Sequence, residues 1–364
     1  MGAVQKKEGA VRPIPSLTNN RFTGESYTTK QRYKNYVPLD GFTAQIKGTD
    51  FTFLLSRLDF FDAFNTRTGE VRTLNHPDGN PKRPRVRAKY RGLSFTYYPS
   101  FRTIEKTLPE LMIVYGSFHK FWNHGVHNAN VFNFDAFLDV LTALKSELDI
   151  TPSQLHLTRL EWGLNLIPEI EANQIINGVI LNRGNKEYKN SKEYKNTTNR
   201  VCYFSEWEHK IYNKSEQYPD YSEPNTLRIE HKQKAWHKHT SKFKIGSTLH
   251  DLIESDFKGL RTTFLKDWER VLFVDPLLKN LPEYYTYSNP EFWQDLNSTG
   301  RYQVRANAKK RLEQLSASLG SNLKQNILEQ LRAKIDEMYN VKLRIPYLVY
   351  IQNPILNTHF GLTG

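Results

Sequence analysis

Polar and apolar residues alternate strictly along several short segments, and this pattern constrains the fold more than any other feature. Between residues 156 and 165 the two sets separate cleanly. One side has Leu160, Trp162 and Leu164, and the other has Arg159, Glu161, Gly163 and Asn165. Because successive side chains of a strand point to opposite faces, this alternation predicts a strand with one packed face and one polar face.

Two helices are predicted among the strands. Asn133 or Asp135 can cap the first, whose apolar residues recur at helical spacing as far as Leu148. The second is predicted after Pro168, with an apolar stripe from Ala172 to Ile180. Further strands are predicted from Gly41 through Phe61, over Leu111–Tyr115, over Val201–Lys214 with a break near Ser205, and over Thr226–Lys234. This order predicts an α+β fold, with an antiparallel sheet as core and helices on one face.

Composition divides the chain into four parts. Residues 1–36 are polar and basic without periodicity, which predicts a tail, and residues 353–364 predict a shorter one. Residues 37–240 contain the predicted sheet and would be the catalytic domain. Residues 245–352 are predicted to be mainly helical, since Leu and Ile recur every three or four positions within 312–335. That stripe predicts core or interface packing, with a coiled-coil DNA reader as the alternative.

The charge balance points to a nucleic-acid partner. The 51 Lys+Arg against 38 Asp+Glu leave a formal net charge of +13, spread among 20 Tyr, 21 Phe and 6 Trp. Cations interleaved with aromatics are typical of nucleic-acid binding. Cys202 is the only cysteine, which excludes a disulfide framework and a multi-cysteine metal site. No apolar run could span a bilayer and no signal peptide is visible, so a cytoplasmic protein without membrane contact is predicted.

Three predicted strands each place a reactive group on a polar face. These groups are Glu161, Tyr212 and Glu230, with Lys210 and Lys214 on the same side as the tyrosine. Two carboxylates can hold Mg²⁺ or Mn²⁺, and tyrosine can attack a phosphodiester that such a cation polarises. We expect the neighbouring ammonium groups to favour the phenolate. The alternative is that the glutamates are solvated surface residues and the tyrosine a packing amphiphile.

A basic strand is predicted upstream of these groups. Arg85, Arg87, Lys89 and Arg91 alternate with Val86, Ala88 and Tyr90. The cationic face predicts contact with DNA phosphates. An edge strand that is charged to prevent aggregation is the alternative.

The order of several short motifs resembles the rolling-circle replication initiators of filamentous phages and of Rep_trans-type plasmids. The matching stretches are RLEWGLNL around Glu161, IYNK around Tyr212 and LRIEHK around Glu230, with Ser117-x-x-Lys120, Gly125 and His127-Asn128 upstream. The resemblance covers roughly residues 110–235. It implies a divergent nickase of the HUH (His-hydrophobic-His) or Rep class, for which duplicated half-units remain an open alternative. The His-hydrophobic-His triplet itself does not occur in the sequence.

Carried over to this chain, the resemblance makes Tyr212 the nucleophile and Lys214 its basic companion. It makes Glu161 and Glu230 the carboxylates for a divalent metal ion, and position 161 is Glu where the phage relatives can have Asp. His119 is a candidate nitrogen ligand, with ordinary packing as its alternative. Lys120 and Asn128 are candidates to hold the DNA backbone.

The function implied by this resemblance is site-specific nicking and strand transfer at the origin of a small phage or plasmid. The reaction would pass through a 5′-phosphotyrosine and start rolling-circle replication. The expected partners are origin DNA, single-stranded at the nick, and a host helicase and polymerase. A non-enzymatic initiator that binds and melts the origin is the alternative, and it would need no nucleophile.

Overall fold

An antiparallel sheet forms the centre of the fold. The computed structural model of the chain describes residues 37–62, 83, 85–103, 105–194 and 196–339, so both predicted tails lie outside the described residues. In chain order the strands are β1 (Leu39–Ile46), β2 (Phe61–Asp62), β3 (Val86–Tyr90), β4 (Leu93–Tyr98), β5 (Phe101–Arg102), β6 (Thr107–Leu108), β7 (Leu111–Ser117), β8 (Leu155–Leu166), β9 (Val179–Asn182), β10 (Lys186–Glu187), β11 (Asn199–Tyr203), β12 (Trp207–Asn213), β13 (Leu227–Gln233) and β14 (Val271–Phe273).

Nine of these strands form the large sheet, in the order β11-β12-β13-β8-β1-β7-β4-β3-β2. Strands β9, β10 and β14 form a small second sheet, and β5 pairs with β6. Each pairing among the described strands is antiparallel. The α+β class with an antiparallel sheet is therefore confirmed.

The described residues also form helices, joined to the strands by turns and loops. They are α1 (Thr52–Arg57), α2 (Phe118–Trp122), α3 (Phe134–Leu148), α4 (Ala172–Gly178), α5 (Lys214–Gln217), α6 (Trp236–Phe243), α7 (Leu249–Glu254), α8 (Leu260–Glu269), α9 (Glu283–Tyr287), α10 (Pro290–Ser298), α11 (Tyr302–Ser318) and α12 (Leu323–Tyr339), with a 3₁₀ turn at Pro276–Asn280. In the described ranges none of these helices is both long and apolar enough to cross a membrane.

Period-two alternation separates two faces of the large sheet. Leu160, Trp162 and Leu164 of β8 are buried in the main hydrophobic core, together with residues of the helices. We call this side the core face. The opposite side bears Glu161, and we call it the site face. The register carries this division across the neighbouring strands, because each residue of one strand shares its face with its direct partner on the next.

Helix α3 begins where the sequence predicts. The side chain of Asn133 accepts a hydrogen bond from the Ala136 amide at 2.8 Å, which satisfies one of the free donors of the first turn. The second predicted helix is shorter than expected, since α4 ends at Gly178 and the next residues form β9. The predicted strand character around residues 51–61 is wrong in its first part, where the chain forms α1.

The C-terminal region is helical, as predicted, and shares the core of the sheet. The apolar stripe within 312–335 belongs to two helices, α11 and α12, separated by Gly320 with its positive φ of 68°. From α12, Ile327, Leu331 and Ile335 are buried in the same cluster as the core face of β8. Leu312 and Leu315 of α11 join a second cluster with Trp293. Core packing, rather than a coiled coil, explains the stripe.

Buried histidines connect the core face to the helices. His231 of β13 is stacked on Trp162 at 4.3 Å, and its Nδ1 lies 2.5 Å from Asp267 Oδ2 of α8. His209 of β12 is fully buried, with Nδ1 2.5 Å from the Tyr188 hydroxyl. Burial lowers the pKa of His209 to about 4. The folded protein therefore holds this imidazole neutral at pH values where an unfolded chain would protonate it.

Acid should destabilise the fold through His209. Between pH 6.5 and 4 the unfolded chain binds a proton that the folded chain excludes, so stability falls as the pH falls through this window. His209 should account for a loss of about 3 kcal/mol at most. We expect urea denaturation of the His209→Gln variant to depend less steeply on pH in this range. The exposed His237 is the control, and an equal slope in His209→Gln and wild type would contradict the prediction.

Candidate active site

Strand register brings the three predicted groups together. Strand β13 lies between β12 and β8. Across these strands, Lys210 is paired with Glu230, and Lys232 with Glu161. The side chains of Tyr212, Glu230 and Glu161 therefore share the site face on three adjacent strands. This part of the prediction agrees with the geometry, since the three groups converge as the alternation implied.

A glycine allows these strands to come close at the site. A Cβ on Gly163, which is paired with Glu230, would meet the Ile229 carbonyl oxygen at 2.6 Å. That distance is far shorter than van der Waals contact, so any side chain here would push β8 and β13 apart. The Arg228 side chain fills the space beside this glycine, since its Nε would lie 3.1 Å from such a Cβ.

Lys210 bridges the two carboxylates. Its Nζ donates hydrogen bonds to Glu161 Oε2 at 3.0 Å and to Glu230 Oε1 at 3.2 Å. The exposed fractions of the three side chains are 5% for Lys210, 13% for Glu161 and 3% for Glu230. Burial alone would raise the pKa of Glu230, but Lys210 and Arg228 hold it well below its usual value. The solvated-surface alternative for these glutamates is therefore excluded.

Tyr212 contacts this carboxylate pair directly. Its hydroxyl donates a hydrogen bond to Glu230 Oε2 at 3.1 Å. Burial, and then the charge of Glu230, raise the pKa of Tyr212 well above the usual tyrosine value. The expectation that neighbouring ammonium groups favour the phenolate is wrong, because Lys210 is committed to the carboxylates. At rest Tyr212 is a neutral phenol whose proton points at an ionised carboxylate.

Asp40 forms a second buried network that the sequence pattern did not reveal. A bulge in β1 between Leu39 and Phe42 leaves both of these residues in the core and turns Asp40 to the site face. Its carboxylate accepts hydrogen bonds from Arg228 Nη2 at 3.1 Å, Asn128 Nδ2 at 2.7 Å and Ser117 Oγ at 2.6 Å. Arg228 also lies 3.6 Å from Glu230, so it connects the two networks.

Lys214 is buried behind the same site. Its Nζ donates to Asn128 Oδ1 at 2.9 Å and to Gln217 Oε1 at 3.2 Å, and it lies 5.5 Å from the Tyr212 ring centroid. Burial, reinforced by the charge of Arg228, lowers the pKa of Lys214 to about 7. Lys214 can therefore gain or lose a proton near neutral pH. Asn128, a predicted DNA contact, lines the cleft and connects Lys214 to Asp40.

A cleft of about 320 Å³ opens onto these groups, lined among others by Glu161, Glu230 and Tyr212. Tyr194 also lines it, with its ring centroid 4.6 Å from that of Tyr212. Tyr194 and the buried Tyr188 come from a tandem KEYKN sequence at residues 186–190 and 192–196, whose polar composition predicts a local duplication in a solvated loop. That interpretation is wrong for both tyrosines. An inward tyrosine in a polar loop has no sequence signal that distinguishes it from a solvated one.

The predicted DNA-contacting residues divide into three groups. Arg87 and Lys89 of β3 are exposed on the site face, opposite the buried Ala88. Arg85 precedes the strand and is half-buried, while Arg91 follows it at φ 45° and donates to Glu147 at 2.8 Å. The cationic strand face thus has two residues rather than four. Lys120 lines the cleft from α2.

The two carboxylates have the oxygen chemistry of a magnesium site. Mg²⁺ is commonly held by one or two carboxylates, with water and substrate phosphate completing its shell. Among the described residues, however, no three His, Cys, Asp or Glu side chains form a group that could hold a metal ion. His119 has its Nε2 2.6 Å from Asn130 Oδ1 and its ring stacked on Phe132 at 4.7 Å. These are the contacts of a packed histidine, and its role as a ligand stays a prediction.

Comparison with known proteins assigns no family to this geometry. No protein-family model, no curated protein and no solved structure matches the chain. A function for the site therefore has to be argued from its own side chains.

Proposed function

We propose that this protein nicks and rejoins DNA to start rolling-circle replication of a small phage or plasmid in the cytoplasm of its host. The carrying observation is the hydrogen bond from the Tyr212 hydroxyl to Glu230, in a cleft where Lys210 joins Glu230 to Glu161. A phenol directed at an ionised carboxylate is a nucleophile beside its base. The surrounding cations suit an anionic phosphodiester.

The proposed reaction is a transesterification. The Tyr212 oxygen forms a bond to phosphorus while the bond from phosphorus to the 3′-oxygen breaks. Glu230 accepts the phenol proton, and Lys214 supplies a proton to the departing 3′-oxygen. The products are a 5′-phosphotyrosine and a free 3′-hydroxyl, which a host polymerase can extend after a host helicase separates the strands. Since the covalent link retains the phosphodiester energy, a second transesterification can circularise the displaced strand without ATP.

Mg²⁺ or Mn²⁺ is the proposed cofactor, and Glu161 and Glu230 would hold it. When bound, such an ion supplies Lewis-acid polarisation of the phosphodiester. Within the chain, Lys210 in the metal-free site and Arg228 beside it keep Glu230 ionised. Asn128 and Gln217, which line the cleft, hold the Lys214 ammonium directly beneath its surface, so Lys214 has to leave these two bonds to reach the 3′-oxygen.

The site face offers a path for DNA away from the cleft. Arg87 and Lys89 lie on the same face as Glu230, five strand intervals away, which is about 24 Å. Tyr115 of β7 is 42% exposed on this face between them. Cations and an exposed aromatic ring suit a single strand, whose phosphates and bases they can contact. If Arg87 and Lys89 only protected a sheet edge, the exposure of Tyr115 on the same face would have no explanation.

Formation of the covalent protein–DNA adduct should depend on Tyr212 and not on the neighbouring Tyr194. We expect Tyr212→Phe to retain DNA binding but to lose nicking and the protein–DNA adduct by at least about a thousandfold, because one hydroxyl is removed with little change in packing. Tyr194→Phe is the matched control in the same cleft and should still form the adduct. The measurement is denaturing electrophoresis after incubation with supercoiled origin plasmid and Mg²⁺ or Mn²⁺. The reverse pattern would make Tyr194 the nucleophile, and no adduct from wild type would favour the non-enzymatic initiator.

The nicking rate should fall at alkaline pH because of Lys214. Only its protonated form can supply a proton, so the rate should decline as the pH rises through about 7. Lys214→Met should nick about a hundredfold more slowly and lack this decline. Single-turnover nicking of a single-stranded oligonucleotide between pH 6 and 9 measures both effects. A decline that persists in Lys214→Met would assign the proton to another group.

The salt dependence of DNA binding should show whether Arg87 and Lys89 contact DNA phosphates. If both contact phosphates, the double substitution by Ala should make the slope of log K against log salt shallower by about 0.7–0.9 per lost contact. Origin and scrambled DNA should weaken by similar factors. Ala substitution of Lys242 and Lys258, two exposed lysines outside the sheet, is the control for charge alone. An unchanged slope would assign Arg87 and Lys89 to edge protection, whereas a loss confined to origin DNA would mean that they read bases.

A further inference from the structure

We propose that Lys210 is the built-in counter-ion of the Glu161–Glu230 pair, and that a divalent metal ion binds this pair only by displacing the Lys210 ammonium. This inference rests on the proposed function for the choice of a divalent metal as ligand. The inference is carried by the two carboxylate oxygens that Lys210 contacts. Lys210 offsets part of the negative charge of the pair until another cation competes for these oxygens.

Lys210 contacts one oxygen of each carboxylate. Its Nζ contacts Oε2 of Glu161 and Oε1 of Glu230, at 3.0 and 3.2 Å. The remaining oxygens have other neighbours. Glu161 Oε1 lies 3.7 Å from both Arg159 and Lys232, and Glu230 Oε2 accepts from Tyr212 and lies 3.6 Å from Arg228. A metal ion that bridges the pair would need the oxygens that Lys210 holds.

The ammonium and a metal ion cannot share this position. Mg²⁺ binds carboxylate oxygens at about 2.0–2.1 Å, so it would come within about 4 Å of an Nζ that contacts the same two oxygens. In a buried site such a like-charge pair is weakly screened. Lys210 must therefore swing away before the metal binds. Tyr194, with its ring centroid 6.0 Å from the Nζ, lies on the cleft side of Lys210.

Lys210 also explains how the pair can be buried without a metal ion. Two carboxylates left without a counter-ion would repel each other and lack hydration, which is costly in a buried site. With Lys210 present, the fold does not need a metal ion to offset this repulsion. The same contact lowers the metal affinity, because each binding event has to break both hydrogen bonds of Lys210.

Calorimetric titration with Mn²⁺, in the absence of DNA, tests the competition on the full chain. We expect Lys210→Met to bind Mn²⁺ at least about thirtyfold more tightly than wild type, because the competing charge is gone. Lys232→Met is the matched control: it removes one ammonium from the outer oxygen of Glu161 and should change affinity at most about fivefold. Adding Glu161→Gln to Lys210→Met should abolish the gain.

Unchanged or weaker Mn²⁺ binding by Lys210→Met overturns the proposal, and so does equal tightening by Lys232→Met. If Lys210→Met does not fold without metal, Lys210→Gln takes its place in thermal denaturation. A larger rise in melting temperature with Mn²⁺ than in wild type supports the proposal, and an equal or smaller rise overturns it. None of these results depends on nicking, so the adduct assay on Tyr212 decides the proposed function separately.

Discussion

Charge neutralisation across neighbouring strands is the interaction on which this site depends. Asp40, Glu161 and Glu230 are largely buried on one sheet face, and each is bonded to a cation of a nearby strand. Arg228 pairs with Asp40, and Lys210 pairs with Glu161 and Glu230. Leaving one such charge unpaired costs about 3–5 kcal/mol. A register slip of one residue would turn Lys210 to the core face, so the ion pairs and the pairing of β12 with β13 require each other.

The core face of the sheet packs against helices, and the site face holds the charged groups of the cleft. Helices cover the core face, including α12, whose Ile327, Leu331 and Ile335 are buried in the same cluster as Trp162. This packing holds the central strands rigidly from behind. The site face can then keep polar and charged side chains in a cleft without carrying the stability of the domain. The C-terminal helices thereby support the site although they contribute no side chain to the cleft.

A buried tyrosine with a raised pKa limits the ways in which the proposed reaction can begin. Tyr212 is not a phenolate before the reaction, because burial and the charge of Glu230 both oppose its ionisation. Its proton must leave as the bond to phosphorus forms, and Glu230 is already in hydrogen-bond contact to receive it. In the proposed reaction, Tyr212 would therefore become nucleophilic only when a phosphodiester occupies the cleft.

Much of the fold follows from local sequence, whereas the completed site does not. Period-two alternation alone places Glu161, Tyr212 and Glu230 on a polar face, and the two candidate caps, Asn133 and Asp135, predict the start of α3 to within two residues, because both features depend on residues close in the chain. The bulge that turns Asp40 to the site face, the inward turn of Tyr194 and the turn of Arg91 towards Glu147 depend on contacts with distant segments. Above all, alternation puts Lys210 on the correct face but cannot say that it spans two carboxylates from two other strands. That arrangement exists only once β12, β13 and β8 pair in register, since the strength of a charge pair is set by distance and burial, which are tertiary properties.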